Sequence, residues 1–270
     1  MNSRELINEY SIRPNKALGQ NFLVDEAAIL AIAECAAEPG LPILEIGPGL
    51  GALTLPMAER APKVAAVELD RAMCEVLRGI VPDGTEIINE DFLKCDLEGL
   101  HELLGGGEIS VAANLPYYVT SPIVQRLVLS GLPIRRMTLM MQKEAAERFT
   151  AEPGDRNYVP LTVLTRRLFD ARELLELGPN SYYPQPEVAS KVLVFERNGA
   201  NMPKKMPSLV KCAFAMRRKT LQNNLCALGL TKAEAAELIE ACGLEKSVRA
   251  ETLSCEEFVK LAEKAEEIKD

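Results

Sequence analysis

The chain has 270 residues, 47% of them apolar, a formal net charge of −8, seven cysteines and a single histidine. That is enough apolar material for one large domain and a small one, which excludes a disordered chain, and no apolar run approaches the ~20 residues of a membrane span. The opening MNSRELINEY is too polar for a secretory signal, which predicts a cytoplasmic protein with no membrane partner. The cysteines are scattered with no C-x-x-C pair, as expected of reduced core thiols and not of a disulfide frame or a metal site.

The first two thirds alternate short β-type runs with helical stretches, the pattern of a mainly parallel sheet covered by helices. After a polar, disordered-looking start, Asp25 is placed to cap a helix that runs to about Glu38 and ends at Gly40. Strands are expected over 41–46, 63–69 and 85–89, with helices over 51–60 and 71–80. A fourth strand, 109–113, ends at Asn114, and a fifth covers 137–141; helices follow from near Ser121 and Gln142. Two late strands, 171–177 and 188–196, flank the loop GPNSYYPQPE and are expected to form an antiparallel edge. From Asn198 a Gly/Asn/Pro/Lys linker gives way to helical periodicity: Leu209, Val210, Ala213 and Phe214 share a face, as do Leu221, Leu225 and Leu228, then Ala235, Leu238, Ile239 and Cys242, then Phe258, Leu261, Ala262 and Ala265. The predicted organisation is an α/β domain over residues 1–200 followed by a small all-α domain over 201–270.

The segment ILEIGPGLGALT puts Gly47, Gly49 and Gly51 between the first strand and its helix. Glycines there let the backbone pass close to a ligand, and the helix N-terminus favours electron-rich groups. Gly47, Gly49 and Ala52 also fit the dinucleotide pattern G-x-G-x-x-A, so this loop by itself admits a nicotinamide cofactor. Glu68, followed by Leu69 and 21 positions after Gly47, suits ribose hydroxyls in either case. The tighter G-x-G-x-G preceded by Glu45 resembles the first motif of Rossmann-like methyltransferases that use S-adenosylmethionine. Asp91 and Phe92 stand just past the third strand, where a carboxylate accepts from an adenine amine and an apolar neighbour packs on the ring.

Asn114, Leu115, Pro116 and Tyr117 follow the fourth strand, at the carboxyl end where such sheets bind ligands. An adenine N6 amine is a poor nucleophile because its lone pair is delocalised into the ring. The Asn114 amide oxygen and the Leu115 carbonyl are suited to accept its two hydrogens, aiming the lone pair at a sulfonium methyl without a strong base. Pro116 stiffens the loop, and Tyr117 offers a ring to a base swung out of its stack. A nicotinamide oxidoreductase would need a Tyr/Lys or His pair near this strand, and the sequence offers none.

Taken together these motifs closely resemble the KsgA family of small-subunit ribosomal RNA adenine dimethyltransferases. The resemblance runs from KALGQNFLVD through EIGPGLGALT, VELD, NLPYYVTSPI and LMMQKEAAERF to AFAMRRKTLQNNL and RAETLSCEEF. It implies a Rossmann-like methyltransferase sheet, S-adenosylmethionine as donor, and transfer of two methyls to each of two adjacent adenosines near the RNA 3′ end. It further implies that Gln20, Asn21, Phe22 and Leu23 close over the cofactor, that Gly47 and Glu68 hold its amino-acid and ribose parts, that Asp91 holds its adenine, and that Asn114 serves cofactor and target. The family's aromatic in F-x-P-x-P-x-V is here Tyr182, which keeps a face for stacking; its Tyr-Gly step is Tyr158-Val159, and its Asp before Ser190 is Ala189.

Although the protein is acidic overall, there is no acidic residue between Glu196 and Glu234. Lys204, Lys205, Lys211, Arg217, Arg218 and Lys219 fall in that stretch and are assigned to RNA phosphates, which position the RNA without reading its sequence. The expected partner is the small ribosomal subunit and its RNA, bound by a monomer during ribosome biogenesis. A relative that methylates large-subunit RNA and confers antibiotic resistance is the nearest alternative.

Overall fold

A computed structural model of the chain describes residues 3–10, 12, 14, 15, 18–116 and 118–267. Tyr117 and the first residues of the KALGQNFLVD segment, Lys16 and Ala17, lie outside them. The elements, in order, are α1 (Ser3–Glu9), β1 (Phe22–Leu23), α2 (Glu26–Ala36), β2 (Ile43–Ile46), α3 (Thr54–Ala58), β3 (Val64–Glu68), α4 (Arg71–Arg78), β4 (Thr85–Asn89), α5 (Leu97–Leu103), β5 (Ile109–Asn114) and α6 (Thr120–Leu129). There follow β6 (Ile134–Gln142), α7 (Lys143–Thr150), α8 (Pro160–Leu168), β7 (Phe169–Leu177), β8 (Tyr182–Tyr183), β9 (Ser190–Arg197), α9 (Met206–Ala213), α10 (Leu221–Leu225), α11 (Lys232–Ala241) and α12 (Cys255–Glu267).

Seven strands form one sheet in the order β4-β3-β2-β5-β6-β9-β7. The pairs from β4 to β6 are parallel, and β9 runs antiparallel to β6. All residues of β2 and β3 are buried, whereas edge strand β4 is half-exposed. That is why the inner strands read as continuous apolar runs. The chain leaves β2 toward β3 and β4 on one side and returns to β5 on the other, so the order reverses between β2 and β5. Ligands bind in the crevice outside the carboxyl ends of the strands at such a reversal.

The chain folds as two compact units, 1–146 with 171–197, and 147–170 with 198–270. The sequence boundary at residue 200 therefore misplaces 147–170. The reason is local packing: Tyr158, fully buried, donates its hydroxyl to the Leu253 carbonyl at 2.8 Å, and the Cys255 thiol reaches the Val163 carbonyl at 3.6 Å. Phe214 joins the same core, with ring centroids 6.1 Å from Tyr158 and 5.8 Å from Phe258. Val159 has φ −135° and ψ 167°, extended backbone open to any residue, so the missing glycine of the Tyr-Gly step costs nothing here. Ala189 takes part through its backbone, accepting from the Lys143 N–H at 3.0 Å.

Three further differences from the sequence reading concern the first unit. The polar start forms α1, whose Leu6 and Ile7 are buried against Phe22, Leu50, Met73 and Val76. The helix expected from Gly51 begins only at Thr54, because Gly51 has φ +80° and so stands in a turn. The third is β1 pairing antiparallel with β8, Phe22 opposite Tyr183 and Leu23 opposite Tyr182, a two-residue ribbon too short to carry a periodic signal. Among the described residues no helix is long and apolar enough to cross a membrane.

Candidate active site

The four loops at the carboxyl ends of β2, β3, β4 and β5 converge on one cavity in the first unit. The wall is built from Gln20, Asn21, Phe22, Leu23, Gly47, Gly49, Glu68, Leu69, Asp91, Phe92, Asn114, Leu115, Pro116 and Tyr182, so the loops of the sheet and the β1–β8 ribbon bring these expected site residues together. Gly51 is the exception. A side chain there would meet Leu77 Cδ2 at 2.9 Å, so this glycine is needed for packing of α4 on the turn and does not line the cavity.

The glycine turn is a cradle. Gly47 has φ +70° and Gly49 φ +57°, and a Cβ on Gly49 would press on the Phe22 ring at 3.4 Å. Behind it stand two carboxylates. Glu68 accepts from the N–H of Gly49 at 3.0 Å and of Asp70 at 2.8 Å. Burial raises its pKa, while those backbone donors oppose the rise. Glu45 is 1% exposed, its Oε2 has no hydrogen-bond partner, and burial with the nearby Glu68 charge pushes its pKa up to about 8. A buried acceptor left open beside a glycine turn calls for a donor from a ligand, and a cationic ammonium suits it, because its charge favours the ionised carboxylate over the protonated form that burial alone favours.

At the far end, Asp91 Oδ1 accepts from the Leu93 N–H at 3.0 Å and Oδ2 lies 3.3 Å from Lys94 Nζ. Asp91 is thus both a turn former and a wall of the cavity, next to the buried ring of Phe92. Asn114 closes the opposite side. Its Nδ2 donates to the Asn21 carbonyl at 3.3 Å; the amide is planar, so its oxygen stays on the other arm as an acceptor. Gln20 ties the same segment down by donating to Asp70 Oδ2 at 2.8 Å. Tyr182 is buried in the wall, its hydroxyl donating to Met140 Sδ at 3.0 Å, which accommodates the atom by which it departs from phenylalanine.

Glu45, Tyr118, Val119 and Ile123 also line the cavity and were not among the expected site residues. Glu45 left a trace in the sequence as the acid before the glycine turn, and Tyr118, Val119 and Ile123 fall within the segment NLPYYVTSPI without having been singled out. Tyr118 is 58% exposed and packs over Gly19. In the second unit Lys204, Lys211, Arg217, Arg218 and Lys219 are exposed. Arg217 also donates through Nη1 to the Arg156 carbonyl at 3.0 Å. Lys205 is only partly exposed, and its Nζ donates to the carbonyls of Ala265 and Glu266, at the end of α12, where a cation is favoured. The seven cysteines are free, and among the described residues no group of three acidic, His or Cys side chains is gathered for a metal ion.

Residues 12–267 match the family described as ribosomal RNA adenine dimethylase. The chain is 38% identical over 271 residues to the ribosomal RNA small subunit methyltransferase A of Clostridium botulinum strain Kyoto, covering 97% of this chain and 98% of that one. It is 39% identical over 278 residues to the protein of the same name from Lactobacillus acidophilus, covering 96% and 94%. Among solved structures, a dimethyladenosine transferase from Plasmodium falciparum shares the fold with a TM-score of 0.72 at 24% identity, covering 89% of this chain and 96% of that one. The 23S rRNA methyltransferase ErmE does so with a TM-score of 0.66 at 26% identity, covering 91% and 100%. The α/β part has the Rossmann-like methyltransferase fold, and the chain belongs to the ribosomal RNA adenine dimethylase family.

Proposed function

We propose that the chain methylates the N6 amine of two adjacent adenosines near the 3′ end of small-subunit ribosomal RNA, twice each, with S-adenosylmethionine as donor. It does so as a cytoplasmic monomer engaged with the assembling small subunit. The observation that carries the reading is the bond from Asn114 Nδ2 to the Asn21 carbonyl, which leaves the Asn114 oxygen free to take a hydrogen from the target amine.

When bound, S-adenosylmethionine supplies an electrophilic methyl on a sulfonium centre. Gly47 and Gly49 give backbone room for its amino-acid part, and Glu45 offers its open oxygen to the ammonium. Glu68 is fixed by Gly49 and Asp70 and presents its remaining lone pairs to the ribose hydroxyls. Asp91 accepts from the adenine amine while Phe92 packs on the ring, and Gln20, Asn21, Phe22, Leu23 and Leu69 complete the enclosure. On the target side, Asn114 and the Leu115 carbonyl hold the two N6 hydrogens and turn the lone pair toward the methyl. Pro116 keeps that carbonyl in place, Tyr182 and Tyr117 are assigned to the faces of the flipped base, and catalysis is by orientation with no strong base. Lys204, Lys211, Arg217, Arg218 and Lys219 hold phosphates. Lys205 is assigned instead to capping α12.

Labelled S-adenosylmethionine and unmethylated small subunits provide the test. Dimethyladenosine at two neighbouring positions of the small-subunit RNA is expected, and Asn114→Ala is expected to lower the methylation rate by about 10²- to 10³-fold while subunit binding holds within about twofold. Label on another base atom sinks the catalytic assignment. Label on large-subunit RNA would favour the reading suggested by the similarity to ErmE, which at 26% identity is lower than to the small-subunit enzymes.

A further inference from the structure

We propose that Arg126 is a positioning residue that sets the adenine end of the cavity and ties it to the target loop. Arg126 sits on α6, the helix that continues directly from residues 114–119. One turn before it, Ile123 lines the cavity. Its guanidinium donates through Nη1 to the Leu93 carbonyl and through Nη2 to the Cys95 carbonyl, and its central carbon lies 5.8 Å from the centroid of the Phe92 ring. Leu93 is therefore held on both sides: its N–H is taken by Asp91 Oδ1 at 3.0 Å, and its carbonyl by Arg126.

Three features mark this as placement and not incidental packing. The planar fork meets two carbonyls of one loop and the face of one ring at once, which a lysine ammonium cannot reproduce. Arg126 Nε is buried without a hydrogen-bond partner, a cost that the fold bears to set the fork where it is. The loop so braced holds Asp91 and Phe92, both walls of the cavity, and the brace grows from the helix launched by the Asn114 loop. The adenine end and the target end of the site are thus fastened by one side chain, so that a donor seated against Asp91 presents its methyl in register with Asn114.

This inference rests on the reading of Asp91 as the adenine acceptor, and its test separates the two. Binding of S-adenosylhomocysteine and of S-inosylhomocysteine, in which an oxygen replaces the exocyclic amine, is measured for the unaltered chain and for Arg126→Lys, Arg126→Met and Asp91→Ala, with thermal unfolding of each. The unaltered chain is expected to prefer the adenosyl compound by about tenfold or more, because a site built around a donor rejects a ligand lacking it. Both Arg126 variants are expected to bring that preference to within about twofold by weakening the adenosyl compound alone. A purely structural arginine would weaken both ligands alike and keep the ratio. If Asp91→Ala erases the preference and the Arg126 variants keep it, the positioning role is wrong and the Asp91 reading stands. If Asp91→Ala keeps it, both fall. Failure of both Arg126 variants to fold also overturns the proposal, since the arginine would then be serving the scaffold.

Discussion

At the scale of single residues, the site is governed by how two buried acids share one small space. Glu45 and Glu68 stand on neighbouring strands, at the end of β2 and of β3. Glu68 has the donors of Gly49 and Asp70, whereas Glu45 keeps an open oxygen. The proton therefore stays on Glu45, whose pKa is raised to about 8 from the ordinary 4.5. The folded chain then holds a proton that the unfolded chain releases above pH 4.5, so this residue takes stability away as pH rises from about 4.5 to about 8. Without cofactor, Glu45→Gln is expected to leave stability near pH 5 almost unchanged and to raise it by on the order of 3 to 5 kcal/mol near pH 8.5. Urea unfolding at the two pH values measures this. An equal effect at both would mean that Glu45 is ionised in the folded chain.

Elements explain which parts of this arrangement were legible. The inner strands were readable because continuous apolar runs leave a strong imprint, and Glu68 and Asn114 stand at the ends of two of them; their order in the sheet was not, since no run carries a mark of its neighbour. The β1 and β8 pairing was not, since two residues carry no period, and its partners lie about 160 positions apart. Residues 147–170 read as part of the α/β domain because they fall between its strands, while their packing on Leu253 and Cys255 is non-local. The glycine loop shows the same limit: Gly47, Gly49 and Gly51 look equivalent in sequence, but only the first two line the cavity. Gly51→Ala meets both a left-handed φ of +80° and Leu77 Cδ2 at 2.9 Å, so a loss of about 1 to 3 kcal/mol is expected. Binding of S-adenosylhomocysteine should stay within about threefold wherever the variant is folded. A large loss of affinity with unchanged melting would return Gly51 to the binding loop.

For the whole molecule, the central fact is that an acidic chain carries a basic stretch. Eight lysines and arginines lie between Glu196 and Glu234 with no acid among them, while residues 233–270 hold eleven acids against five bases. Folding sorts these charges: Arg217, Arg218 and Lys219 are exposed, whereas Lys205 is consumed by the end of α12. A local positive field survives a net charge of −8 when its sources are exposed and grouped, because distant charges are screened within about 8 Å at physiological salt. The consequence is quantitative. Every cation withdrawn from an RNA phosphate should lower the slope of log K against log salt by about 0.7 to 0.9, so replacing Arg217, Arg218 and Lys219 by alanine is expected to reduce it by about 2 to 3. The methylation rate at saturating subunits should hold, since these residues position RNA and take no part in the methyl step. Lys205→Ala, in contrast, should lower the melting temperature and leave the salt slope in place; a slope that drops with Lys205 and not with the other three would reverse the assignment of which cations face the RNA.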